Sequence, residues 1–373
     1  MRAKLWCRTL SVAGGNALEW LELQKIQWRP PWAREDGMSK IWMVTASCLM
    51  VASFVGPAAL AQNAEAEAAA ARASAAAAAA RATAQVSPND TLEKICRIGP
   101  RSREVEIQKI EPFKVFDNLY HVGPCYVSSW VLTTPQGAIM FDTAQEPFVD
   151  LIEANIKKMG IDPHSIKYIV INHGHTDHFG GAKRLQEFTG ARVVAAPEDW
   201  KMIEETAGKP NNRDNGKPTD VPKRDMEVRE GDHLDLGDQH LIVHTAPGHT
   251  PGNLFIEGLV LHEGAQTYRG IWGGGGGGAP GLAGAEQGVK NAEKVNAVKG
   301  VQVYLQTHAW QDPNGYPGGG IHERAKKLAT RKPGDPNPFV DPATWDARAK
   351  RQLETAKRVL AQEQAKAGAT KAN

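Results

Sequence analysis

The apolar run Ile166–Ile171 ends directly in Asn172-His173-Gly174-His175-Thr176-Asp177-His178-Phe179-Gly180-Gly181. Three imidazoles and a carboxylate thus fall within six residues, at the end of a segment that reads as a buried β-strand. Neutral imidazole and carboxylate are the ligands zinc takes in catalytic rather than structural sites. A turn this dense needs a backbone that folds tightly, and the pair Gly180-Gly181 provides it. A lone His-x-His would be an ordinary polar loop; four such groups at one strand end point to a metal.

Two further histidines stand at strand ends beside tight turns. His249 lies in Ala246-Pro247-Gly248-His249-Thr250-Pro251-Gly252 after the strand Leu241–Thr245, and His308 closes the run VQVYLQTH. Of the 12 histidines, His121, His164, His233, His240, His244, His262 and His322 lack such a setting and read as surface or core residues. Among loop aromatics, Trp130, Phe179, Trp272 and Trp310 are open between packing and substrate contact.

From Phe113 onward the chain alternates β-like and helical patterns. Strands are expected at Leu119–Val122, Ser128–Thr134, Ala138–Phe141, Ile166–Ile171, Ala191–Ala195, Met226–Val228, His233–Leu236, Leu241–Thr245, Asn253–Ile256 and Val301–Thr307. Helices are expected from Pro147 to Gly160, from Ala182 to Phe188, over Ala285–Asn296 and over Ile321–Ala329. Asp341-Pro342 is a cap followed by a first-turn proline, and Trp345, Ala349, Leu353, Ala356 and Leu360 mark one face of a long final helix. Two such strand-rich stretches imply two sheets packed together with helices outside.

The N-terminal quarter has a different character. Residues 41–60 are the only long apolar run, preceded by Met38-Ser39-Lys40 and ending in Ala59-Leu60-Ala61, which reads as a signal peptide over 38–61 cleaved after Ala61. An uncleaved membrane anchor is the alternative, since the run is long enough to span a bilayer. Residues 1–37 then read as an upstream extension of the reading frame. Residues 62–87 form an Ala-rich spacer, with 16 alanines in positions 61–84, and 88–373 a folded unit of about 285 residues. Cleavage after Ala61 removes seven Lys/Arg and four Asp/Glu, turning the formal charge from +2 to −1, so charge gives no case for nucleic acid. Cys96 and Cys125, 29 residues apart, remain; they either bridge in an oxidising compartment or stay as two thiols.

The strings HGHTDHFGG and APGHTPGN, with a late strand ending in histidine, resemble the metallo-β-lactamase superfamily over about residues 113–325. The resemblance implies an α/β fold, a four-layer αββα sandwich with the metal site at one edge between the sheets. It places one zinc on His173, His175 and His249, and a second on Asp177, His178 and His308. Each metal then has three protein ligands and an open position. Two zinc ions about 3.5–4 Å apart would generate a hydroxide near neutral pH to attack a carbonyl. Asp177 would orient that nucleophile or accept its proton.

Many hydrolases of this superfamily carry a bridging aspartate after the strand that follows PGHT. The corresponding stretch here, FIEGLVLHEGAQTYRGIWGGGGGGAPG, contains no aspartate. The site is therefore more similar to the β-lactamase subclass with three histidines on one zinc and Asp-His-His on the other. In that subclass, serines in this stretch help bind the β-lactam carboxylate; Gly273–Gly278 offers six glycines and no hydroxyl. The run reads as a loop or a place of close backbone packing, or else as amides offered to an anionic substrate. The resemblance implies a dinuclear zinc hydrolase of a small-molecule β-lactam-type cyclic amide, and the signal reading makes it exported, periplasmic or secreted. The alternatives are the same metal site acting on lactones, other esters or phosphoesters, or a non-catalytic zinc-binding protein.

Overall fold

The computed structural model describes Cys96 and residues 100–212, 214–309 and 320–372, all within the unit Glu67–Asn373. The proposed extension, signal and spacer, and Trp310, lie outside the described residues. Strands β1 (Phe113–Phe116), β2 (Leu119–His121), β3 (Trp130–Thr134), β4 (Gly137–Phe141), β5 (Ile166–Val170), β6 (Arg192–Ala195) and β7 (Met226–Glu227) form one mixed sheet in sequence order. Strands β8 (His233–Leu236), β9 (Gln239–Thr245), β10 (Leu254–Glu263), β11 (Gln266–Gly273) and β12 (Val303–Leu305) form the second, in the order β12-β11-β10-β9-β8.

Side-chain alternation assigns the layers. Trp130, Leu132, Ile139, Phe141, Val170 and Val194 of the first sheet meet Leu241, Val243, Leu254, Ile256, Trp272 and Leu305 of the second in one core between the sheets. Their neighbours Val131, Met140, Ile169 and Val193 point the other way. They pack under helices α1 (Val149–Lys158), α3 (Ala182–Thr189) and α4 (Pro197–Glu205), contributing Ile152, Leu185 and Trp200. On the far side, Phe255 and Ile271 pack with Val295 of α5 (Gly281–Ala297) and with Trp345 and Ala349 of α7 (Pro342–Ala372). This is the αββα sandwich, with α2 (Thr176–Phe179) carrying part of the histidine motif and α6 (Ile321–Ala329) nearer the C-terminus.

Strands β1 and β11 and helices α2 and α4 were absent from the sequence reading, and β10 was expected only over Asn253–Ile256. Helix α4 opens on Pro197 with Glu198 and Asp199 in its first turn, a start signal hidden by the short spacing from β6. The long hairpin β10–β11 turns at Gly264 and is broken by a bulge at Gly258 (φ 93°). Its charges and glycines masked the alternation. The three aromatics open between packing and recognition are packing residues: Trp130, Phe179 and Trp272 are fully buried. Cys96 and Cys125 are joined by a disulfide. Among the described residues no helix is long and apolar enough to cross a membrane.

Candidate metal centre

All six expected ligands converge, in two trios. The metal-binding atoms of His173, His175 and His249 lie within 4.8 Å of one another, as do those of Asp177, His178 and His308. Each trio takes two members from the turn after β5 in the first sheet and one from a loop of the second. The trios adjoin, the rings of His173 and His178 being 3.9 Å apart.

The imidazoles are held from behind. His173 Nδ1 lies 2.8 Å from Asn172 Oδ1, and the Asn172 amide donates to Leu254 O, so the oxygen faces the ring and Nδ1 is the donor. Nε2 of His173 therefore carries the lone pair. His178 Nδ1 is 2.6 Å from Asp142 Oδ2, which again leaves the lone pair on Nε2. Asp142 also accepts from the Asn172 amide N–H at 2.8 Å, so one buried carboxylate orients both ligand segments. It sits just past β4 at φ 56°, with Ala144 at φ 54°, left-handed conformations that cost a non-glycine residue energy and that the surrounding contacts hold in place.

A second carboxylate, Asp199, joins the loops of the first trio. It accepts from Gly174 N at 2.9 Å, Thr250 Oγ1 at 2.7 Å and Gly252 N at 2.8 Å. In the second trio, Tyr126 donates its hydroxyl to Asp177 Oδ2 at 3.2 Å and packs its ring 4.7 Å from that of His308. Val127 pairs with His308 as an isolated β-bridge. Asp142, Asp199 and Tyr126 were missed in sequence. Asp142 did carry a signal, a carboxylate directly after an apolar strand; the other two are placed only by tertiary packing.

Burial, reinforced by His178, His249, His175 and His308, holds the His173 imidazole well below its ordinary pKa. His249 is lowered by burial and then by His178, against Asp177 and Asp199. Burial raises Asp142, opposed by His178 and the Asn172 amide, and raises Asp199 against its hydrogen bonds from Thr250, Gly252 and Gly174. Both histidines are thus kept neutral, the form that binds metal.

The donor set fits a divalent cation in each trio. His178 Nε2 and His308 Nε2 are 3.1 Å apart, with Asp177 Oδ2 at 3.8 and 3.7 Å from them. His173 Nε2 and His175 Nδ1 are 3.0 Å apart. Two nitrogens on one tetrahedral zinc would stand about 3.3 Å apart. The surroundings of four of the other seven histidines fit their structural reading. His322 is buried and groups only with the bridged Cys96 and Cys125, His121 is buried with its ring 6.2 Å from that of His322, and His244 and His262 pair with carboxylates.

The site opens into a cavity of about 720 Å³ lined by His173, His249, His308, the run Gly273–Gly278 and one face of α7. No carboxylate from the β10–β11 stretch lines it. The glycine run is there because backbones touch: a Cβ on Gly276 would stand 2.5 Å from His249 Cβ, and one on Gly248 would stand 1.8 Å from Gly277 O. Close packing, one of the two readings of this run, is what the structure supports.

A family model of the metallo-β-lactamase superfamily matches residues 122–260. BJP-1, a subclass B3 metallo-β-lactamase of Bradyrhizobium japonicum, is 29% identical; 70% of this chain and 98% of that one are covered, with a TM-score of 0.57. The FEZ-1 metallo-β-lactamase of Legionella gormanii is 25% identical with a TM-score of 0.58, covering 69% of this chain and 98% of that one. A hydroxyacylglutathione hydrolase of Maricaulis maris is 34% identical over 112 residues, 30% of this chain. The match spans about a third, 36%, of that curated relative's length. Family model, layered architecture and paired trios agree: residues 122–260 match the metallo-β-lactamase superfamily, and the chain has the metallo-β-lactamase fold.

Proposed function

We propose that this chain is an exported dinuclear zinc hydrolase whose substrate is a β-lactam-type cyclic amide. The observation that carries the reading is the pair of trios, His173-His175-His249 and Asp177-His178-His308, with no carboxylate from the β10–β11 stretch at the cavity. The likeness to subclass B3 enzymes over nearly their whole length supports it. The Cys96–Cys125 bridge supports an oxidising compartment, periplasmic or extracellular.

A divalent metal bound at these trios would act as a Lewis acid and bring the pKa of water down towards about 7. The protein's own residues do the rest. Asn172 and Asp142 fix the His173 and His178 rings so that their Nε2 atoms face the site. Asp177, steadied by the Tyr126 hydroxyl, is placed to orient the attacking water or take its proton. The cavity then receives the ring-opened acid beside the ligand loops.

A second reading, thioester hydrolysis on the same site, is favoured by the local identity to hydroxyacylglutathione hydrolases. One panel separates the two. Zinc content is measured together with hydrolysis of nitrocefin, a penicillin, a carbapenem, a glutathione thioester, a lactone and a phosphodiester. β-Lactam turnover that a chelator abolishes and zinc restores supports the first reading; thioester turnover alone supports the second. Failure on every substrate by the zinc-loaded protein would overturn both.

A further inference from the structure

A third cluster of metal-binding atoms shares no residue with the two trios. Sγ of Cys96, Sγ of Cys125 and a ring nitrogen of His322 lie within 4.8 Å of one another, and all three residues are buried. They come from the segment ahead of β1, the loop between β2 and β3, and the first turn of α6. His322 Nε2 donates to the Cys125 carbonyl at 2.9 Å, which fixes the ring against the cysteine and leaves the lone pair on Nδ1. Beside it stands His121, the last residue of β2, its ring 6.2 Å from that of His322. The buried Nδ1 of His121 has no hydrogen-bond partner among the described residues, which is unusual for a polar atom in a core.

While the bridge stands, the two sulfurs hold each other and are no ligands. A reductant frees them. With a phosphine, the S–S bond breaks, the two protons of one water go to the sulfurs, and its oxygen goes to phosphorus as the phosphine oxide. A divalent cation then displaces both thiol protons, and two thiolates cancel its charge, so the complex is neutral in an apolar interior. Two Cys and two His are a closed tetrahedral set for zinc, with donors about 3.3–3.8 Å apart. Ring centres of two imidazoles on one zinc stand about 5 Å apart, so His121 closes on His322 by about 1 Å.

We propose that, once the Cys96–Cys125 bridge is reduced, Cys96, Cys125, His322 and His121 form a structural site for zinc or another thiophilic divalent cation. Zinc then ties the segment ahead of β1 to the β2–β3 loop in a reducing environment, as the bridge does in an oxidising one. The tie reaches the metal centre, because the next residue, Tyr126, holds Asp177.

The test uses the full chain carrying Cys7→Ser and Cys48→Ser, so that only Cys96 and Cys125 remain of the four cysteines. One sample is reduced in urea with tris(carboxyethyl)phosphine and refolded with cobalt(II); a second keeps its bridge through the same steps without the phosphine. The reduced chain is expected to hold one more cobalt than the bridged chain and to show a thiolate-to-cobalt charge-transfer band in the near ultraviolet. Histidine and aspartate cannot produce that band, so it reports on this cluster whether or not the two trios load metal. Zinc should bleach it. His322→Gln and His121→Phe should each weaken the cobalt binding read from the band by at least about 10-fold. A reduced chain that refolds without the band and the extra cobalt, or that fails to refold with cobalt present, would overturn the site. So would undiminished affinity in the histidine variants.

Discussion

Asp199 accepts the Thr250 hydroxyl at 2.7 Å, and by that bond the loop carrying His249 is fastened to the helix behind the loop carrying His173 and His175. The same carboxylate holds Gly174 N and Gly252 N. Asp199→Ala leaves three buried donors without their acceptor, at about 1–3 kcal/mol each before relaxation. Zinc affinity of the first trio should fall about 10–100-fold, as for other groups that support ligands. Chelator competition reads the loss of zinc affinity and thermal unfolding the loss of stability; unchanged zinc affinity would contradict the role.

Asp177→Ala should leave one zinc largely bound and lower turnover by about 10²–10⁴-fold, the range of a lost acid-base group. Tyr126→Phe keeps the ring on His308 and removes only the hydroxyl on Asp177. Its effect should be smaller, about 10-fold, corresponding to one hydrogen bond to a charged group. Metal stoichiometry and steady-state kinetics on both variants check the order; full activity in Asp177→Ala would refute the assigned mechanism.

Gly276→Ala should damage the metal site without touching a ligand. Its new methyl would stand 2.5 Å from His249 Cβ, closer than packed carbons approach, so the His249 loop must move. A Gly277→Ala control meets nothing within 4 Å and should be near wild type. Equal zinc content in the two variants would show that the run tolerates displacement.

Acid stability should depend on a pair of histidines outside the metal centre. Burial, then His322, drives the His121 pKa well below its ordinary value, and burial lowers that of His322, against its bond to the Cys125 carbonyl. The unfolded chain therefore binds more protons than the folded one below about pH 6.5. Stability from this pair is complete above that pH and is lost as pH falls. His121→Phe, which suits the stack on Phe113, should flatten the decline in urea midpoint between about pH 6.5 and 5. An unchanged slope would assign the decline to other groups.

The residues of the two trios were legible because they cluster where strands stop and glycine-bearing turns begin, a local signal. The inner layers were legible too, from apolar alternation in β3, β4 and β9. The β10–β11 hairpin was not, since Glu257 and Glu263 are set in ion pairs with Arg269 and Arg331 rather than in a polar face of simple period.

Each ligand trio spans the interface between the two sheets, and His178 and His308 are separated by 130 residues of chain. A metal ion held this way is a rivet through the sandwich. The unfolded chain keeps the local His-x-His-x-Asp-His cluster but no fixed partner from the other half, so metal binds the folded form more tightly and stabilises it by mass action. Sheet docking and metal capture are then one equilibrium read from two ends.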